Sequence, residues 1–171
     1  KTKFTWFLMT WTIGGLWVLV TMAAGLAALT SSTTAELGMI SYLGIALWLF
    51  GFVVEVTADN QKTAFRANPD NRDRFITTGV WSWSQHPNYF GEITLWSGLA
   101  LVALPVLSGW QLATLISPVF VYFLLTRVSG IPLLDRLAKQ KWGSDSDYLS
   151  YTQATSKLLL LPPKNVVIPA D

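Results

Sequence analysis

An amide, a carboxylate and an indole follow one another at helical spacing in Asn88, Glu92 and Trp96. Residues four apart share one helix face. Pro87 suits the first position of such a helix, where its missing N–H costs nothing. The three groups therefore descend in line from a polar segment, residues 55–84, into an apolar run that begins at Ile93. The single histidine of the chain, His86, stands at the entrance. An ionisable group entering a membrane helix is a functional candidate by default. Glu92 also has a plain reading, because a glutamate in the first turn offsets the positive end of the helix dipole by about 0.3–1 kcal/mol. His86 likewise reads as an ordinary N-terminal or interfacial residue.

A second group is cationic. Lys62, Arg66, Arg72, Arg74 and Arg127 fall around the same end of the chain's apolar runs, with Asp59 nearby. Several cations facing one cleft suit a polyphosphate, and planar guanidinium groups suit a phosphomonoester. An amide and an indole add what a carboxamide and a flat ring need, so the set matches the demands of a nicotinamide dinucleotide phosphate. Arg66, Arg74 and Asn88 are expected to share one hollow. Glu55, Asp59, Lys62 and Arg66 also step along one stripe. Taken alone, that stripe reads better as a self-paired surface helix, with ion pairs worth roughly a few tenths of a kcal/mol each.

Composition narrows the chemistry further. Only 13% of the 171 residues are charged and 51% are hydrophobic, where a soluble domain carries about 25% charged. Lipid is the expected solvent. A net charge of +2 without a basic patch interleaved with exposed aromatics excludes a nucleic-acid binder. With no cysteine and one histidine, disulfides and Cys nucleophiles are excluded, and no metal site is expected. There is no G-x-G-x-x-G after a strand and no Walker A loop, so neither a Rossmann site nor a P-loop is present.

The positioning elements follow from the uncharged runs. Phe4 to Leu29 is long enough to span a bilayer, and too long for a signal-peptide core. It reads as a plain membrane anchor whose small residues (Gly14, Gly15, Ala23, Ala24, Gly25, Ala27, Ala28) suit close packing. Residues 37–54 form a second span whose helix continues past the membrane edge until Asn68-Pro69 stops it. Trp81 and Trp83 alternate with serines and read as an extended or interfacial piece. Residues 93–126 hold no charge and would make one helix roughly 50 Å long, so Pro105, Ser108 and Gly109 must break it. The second half starts near Trp110, with a kink at Pro118. A polar helix carrying Asp135, Arg136, Lys139 and Lys141 follows, capped by Gly143. Tyr148 and Tyr151 lie on a short segment. The leucines at 158–161 dip into the interface, and the tail after Lys164 is irregular.

The expected fold is thus all-α: a single polytopic membrane domain over residues 1–171. It has spans near 4–29, 37–54, 90–107 and 110–127, a loop 55–88 and a C-terminal segment 128–171 with short helices. All twelve Lys and Arg gather at one end of these spans, and the 30–36 and 105–111 turns carry none. The positive-inside rule places the N-terminus, the loop and the C-terminal segment in the cytoplasm or its organellar equivalent.

Three motifs carry a family resemblance. His86-Pro87-Asn88-Tyr89-Phe90-Gly91-Glu92 is similar to an H-P-N-Y-x-G-[DE] run, and Gln61-Lys62-Thr63-Ala64-Phe65-Arg66-Ala67-Asn68-Pro69 to Q-K-x-x-F-R-x-N-P. Arg127-Val128-Ser129-Gly130-Ile131-Pro132-Leu133-Leu134-Asp135 is similar to R-V-S-G-[IV]-P-L-L-[DE]. In order and spacing they resemble the steroid 5α-reductase and sterol reductase superfamily, most closely its small bacterial-type membrane proteins. The resemblance implies NADPH held at the cytoplasmic side, with hydride transfer to a carbon–carbon double bond of a steroid- or lipid-like substrate. By position it implies cofactor contacts at Glu55, Asp59, Lys62, Arg66, Arg74, Asn88, Glu92, Trp96 and Arg127. It also implies that the chain corresponds to the C-terminal two-thirds of a family member, so the substrate-side Glu–Tyr pair of the steroid 5α-reductases falls upstream of it.

Two other classes compete. Isoprenylcysteine and phospholipid methyltransferases share an H-P-x-Y-x-G motif but use S-adenosylmethionine. They usually carry paired glutamates in the later polar helix, where this chain offers only Asp135. The third class is a non-catalytic subunit of a larger membrane assembly.

Overall fold

A computed structural model describes residues 3–164. Among them there are helices and no strands. Four helical runs are long and apolar enough to cross a membrane: Phe4–Leu29, Met39–Ala67, Pro87–Val106 and Gly109–Trp142. The irregular tail expected after Lys164 lies outside the described residues.

Helix α1 (Phe4–Leu29) and α2 (Met39–Ala67) follow the uncharged runs. α2 is a single 29-residue helix, about 44 Å long. Its first part is apolar, and its last three turns project the polar stripe beyond the span. Asn68 ends it by accepting a hydrogen bond from the Asp70 N–H at 3.0 Å, with Pro69 opening a 3-10 turn. Helix α3 (Pro87–Ala103) starts at Pro87 with His86 at its N-cap.

α2 and α3 pack antiparallel through two glycine pairs. A Cβ on Gly51 would stand 2.6 Å from the Gly91 carbonyl oxygen, and one on Gly98 2.6 Å from that of Gly44. Only glycine allows backbones this close. The contact fixes the register, so that a Cβ at Gly91 would meet the Glu55 N–H at 2.7 Å. Glu55 is thereby held against the turn that carries Glu92.

The C-terminal half of α1 packs through small residues, whereas a Cβ on Gly14 or Gly15 would meet no neighbour within 4 Å among the described residues. Ala24 is buried with Ala100, Ala103 and Leu107, flanked by Ala27, Ala28 and Leu115. The Ser117 hydroxyl donates to the Thr21 carbonyl, and the Ser31 hydroxyl donates to that of Val106 at 2.6 Å. The fourth run is not a uniform α-helix. A 3-10 stretch (Gly109–Ile116) leads into α4 (Ser117–Phe123), and a π-helical turn (Leu124–Val128) closes it. Pro118 sits in the first turn of α4, where its ring needs no donor, so it marks a change of winding rather than a kink within one helix.

Two further expectations are corrected. Trp81 does not lie on an extended piece. Gly79, at φ 63°, turns the chain into a 3-10 helix (Gly79–Ser82) that buries Trp81. The Trp81 indole N–H then donates to the Ala58 carbonyl at 3.0 Å. The second correction concerns the charged stripe of α2, which does not pair with itself. Among the described residues the ion pairs are His86–Asp135, Lys141–Asp73 and Lys157–Asp135. Lys62 instead lies over the Trp81 ring, 5.2 Å from its centroid.

Beyond the spans, α5 (Ile131–Trp142) and α6 (Ser146–Ala154) pack on the loop between α2 and α3. Phe75 meets Trp142, Tyr148 and Tyr151 at centroid distances of 5.2–5.8 Å. Residues 158–161 run along the Trp83–Ser84 backbone: Ser84 donates to the Leu158 carbonyl, and the Leu161 N–H donates to that of Trp83.

Candidate functional site

The last turns of α2, the segment 71–76 and the end of α5 enclose a hollow of 380 Å³. Five cations line it: Lys62, Arg66, Arg72, Arg74 and Lys141. Phe65, Phe75, Ile76 and Trp142 supply its apolar walls. Lys62 and Arg66 are four apart on one helix, so they reach it together. α5 is clasped to the loop at this point. The Trp142 indole N–H donates to the Asp73 carbonyl at 2.7 Å, and the Lys141 ammonium donates to the Arg72 carbonyl at 3.1 Å. Lys141 also pairs with Asp73 at 3.0 Å. The other four cations have no carboxylate within 4.0 Å among the described residues. Like charges around one hollow repel, and a multiply charged anion turns that repulsion into attraction.

A second cluster lies higher on the α2–α3 seam. Glu55, Asp59 and Glu92 are close enough to act on one another electrostatically, and Tyr89 is within reach of both Asp59 and Glu92. The Trp96 side chain lies beside the Glu92 carboxylate. The glycine contact brings this group together by holding the two helices side by side.

The third group surrounds His86. Its ring is buried, with 9% of the side chain exposed, and stacks on Tyr89 at 5.5 Å and 10°. Its Nε2 is buried without a hydrogen-bond partner among the described residues. The nearest carboxylate oxygen, on Asp135, is 3.7 Å away, beyond hydrogen-bond range. Asp135 is itself gripped by the Lys157 ammonium at 2.6 and 2.7 Å. Burial, and then the positive charge of Lys157, push the imidazole down to about 4, with Asp135 opposing. The ring is therefore neutral at neutral pH. A small hollow of 110 Å³ opens beside it, lined by Phe75, Trp81, Asp135, Ala138 and Tyr151 among others.

The nine residues singled out in the sequence thus divide. Lys62, Arg66 and Arg74 line the basic basin. Glu55, Asp59, Glu92 and Trp96 meet at the seam. Asn88 and Arg127 line neither hollow. Asn88 belongs to the first turn of α3 and is not among the residues that line the hollow of Arg66 and Arg74. Arg127 is exposed on the π-helical turn. Lys141, Trp142 and Phe75 join the basin without having been singled out. Lys141 lies 69 residues from the Arg72 carbonyl it binds, and no local spacing announces such a meeting. His86 carried a signal, as a lone histidine before Pro87, but not its burial.

A family model described as a protein of unknown function (DUF1295) matches residues 1–155. A probable O-methyltransferase, ustE, of Ustilaginoidea virens is 30% identical over 132 residues, which is 65% of this chain and 46% of that protein. The 3-oxo-5-alpha-steroid 4-dehydrogenase 1 of Bos taurus is 30% identical over 70 residues, 41% of this chain and 27% of that enzyme. Its Rattus norvegicus counterpart is 31% identical over 85 residues, 49% of this chain and 30% of that enzyme. The chain spans less than half the length of each of these relatives. No solved structure gives a significant match.

Proposed function

This chain belongs to the DUF1295 family and to a steroid 5α-reductase-like superfamily, and from that premise we propose that it is an integral membrane reductase that uses NADPH. The reaction is hydride transfer to a carbon–carbon double bond of a steroid- or lipid-like substrate. The basic basin carries the proposal: four cations without a carboxylate partner among the described residues, joined by Lys141, around one 380 Å³ hollow suit a diphosphate bridge and an additional phosphomonoester. NADPH supplies the hydride. Arg66, Arg72, Arg74 and Lys62 hold its phosphates, and the seam of Glu55, Asp59, Glu92 and Trp96 receives the nicotinamide end. Asn88 and Arg127 complete the proposed contacts from the same end of the bundle. That end faces the cytoplasm or its organellar equivalent, because the Lys and Arg gather there.

The test is cofactor binding. Detergent-solubilised protein titrated with NADPH should show energy transfer from tryptophan to the reduced nicotinamide. Absence of transfer and of calorimetric heat would remove the reading. A second reading has a specific support: the relative matched over 132 residues is named a probable O-methyltransferase. An S-adenosylmethionine-dependent methyltransferase would bind that cofactor in preference to NADPH, and it would have little use for the basin, since the cofactor carries no phosphate.

A further inference from the structure

The 110 Å³ hollow beside His86 is well below the roughly 300 Å³ at which pockets for drug-sized ligands begin. It admits one flat ring system and neither a steroid nor a whole dinucleotide. Phe75 and Ile76 line both this hollow and the basic basin, so the two adjoin across a shared wall. Its other faces carry the rings of Trp81, Tyr148 and Tyr151 beside the aliphatic Leu134 and Ala138. The Trp81 N–H goes to Ala58, and the Tyr151 hydroxyl donates to the Trp81 carbonyl at 2.7 Å. Among the described residues one buried polar side-chain atom is left without a partner, the His86 Nε2, and the Asp135 carboxylate stands 3.7 Å from it. Both Asp135 oxygens contact Lys157, but a carboxylate has about four lone-pair sites and accepts further hydrogens.

We infer that this hollow is a base subsite, taking the adenine of the nucleotide whose phosphates lie in the adjoining basin. Bases are held by stacking on aromatic faces and by hydrogen bonds to their edge. The adenine edge sets an amino donor beside a ring-nitrogen acceptor. Asp135 accepts from the first, and the neutral His86, protonated on Nε2, donates to the second. Such a ligand satisfies a buried polar atom that is otherwise orphaned, which is a costly state. The nicotinamide ring does not suit the hollow, because hydride transfer to an apolar acceptor requires that ring among the spans, whereas the hollow sits between the N-cap of α3, α5 and α6. Its link to phosphates rests on the nucleotide reading above. The adenine contact itself is shared by NADPH and S-adenosylmethionine.

The experiment compares NADPH, reduced nicotinamide mononucleotide (which lacks adenine) and S-adenosylhomocysteine, by calorimetry on solubilised full chain. Two variants are used. His86→Leu removes the edge contact. Ala138→Leu fills the hollow from a helical position that favours leucine and breaks no hydrogen bond. Each is expected to weaken adenine-bearing ligands roughly tenfold or more and to leave the mononucleotide unchanged. Equal losses for NADPH and the mononucleotide, or no loss in Ala138→Leu, overturn the subsite while leaving the reductase reading in place. Binding of S-adenosylhomocysteine but not NADPH, lost in both variants, upholds the subsite and removes the reductase reading. If the unmodified protein binds no adenine-bearing ligand, both fall.

Discussion

The α2–α3 seam and the basic basin lie on successive turns of α2, yet they are built in opposite ways. The seam is backbone against backbone: Gly44 on Gly98 and Gly51 on Gly91 leave no room for a side chain. The basin is assembled from the end of α2, the loop just after it and the distant end of α5, and two hydrogen bonds and an exposed ion pair hold its α5 wall. The seam is therefore the rigid part, and the basin the part whose shape depends on a light clasp. The proposed hydride transfer calls for both qualities: a fixed platform for the hydride and an adaptable mouth for a charged carrier.

The sharpest way to break this contrast is to add a side chain at the seam. Gly98→Val should cost about 3 kcal/mol or more, because its Cβ meets the backbone of α2 and neither helix can shift without dragging the other. Thermal unfolding in detergent measures it. A change in midpoint no larger than that of a surface variant would show that the seam is loose.

A pH titration probes the joint between the two regions, where His86 faces Asp135, Lys157 and, farther off, Lys62. The folded chain holds the imidazole near 4, against about 6.5 when unfolded. The unfolded chain takes the proton first, so stability is full above about pH 6.5 and declines as pH falls toward 4, by about 3 kcal/mol in all. His86→Gln should flatten the unfolding midpoint across that window. A slope that survives the substitution would assign it to other groups.

Smaller effects belong to the basin. Arg66→Ala or Arg74→Ala should weaken NADPH about tenfold, and more than NADH, since only NADPH bears the extra phosphate. Stability should change by no more than about 0.5 kcal/mol, because both residues are exposed. Equal losses for the two nucleotides would deny these arginines the phosphomonoester. Trp142→Phe keeps the contact with Phe75 and removes the hydrogen bond to Asp73, and should lower stability by only about 1 kcal/mol. A loss as large as that of Gly98→Val would mean that the clasp is as firm as the seam.

The sequence by itself determined the solvent, the four apolar runs and the helix ends at Pro87 and Asn68, because these depend on local composition and on backbone chemistry that the residues carry wherever they stand. It also held a signal that went unread: Gly44 and Gly51, and Gly91 and Gly98, are each seven apart, which puts each pair on one helix face. Only the tertiary structure decided which faces met. It left Asn88 out of the lining of the basin, brought Lys141 and Trp142 there from 69 residues away, and buried His86 with an unanswered nitrogen. Those meetings depend on how whole helices pack, and the spacing of residues along one helix fixes only the face each side chain leaves from, not the neighbour it finds.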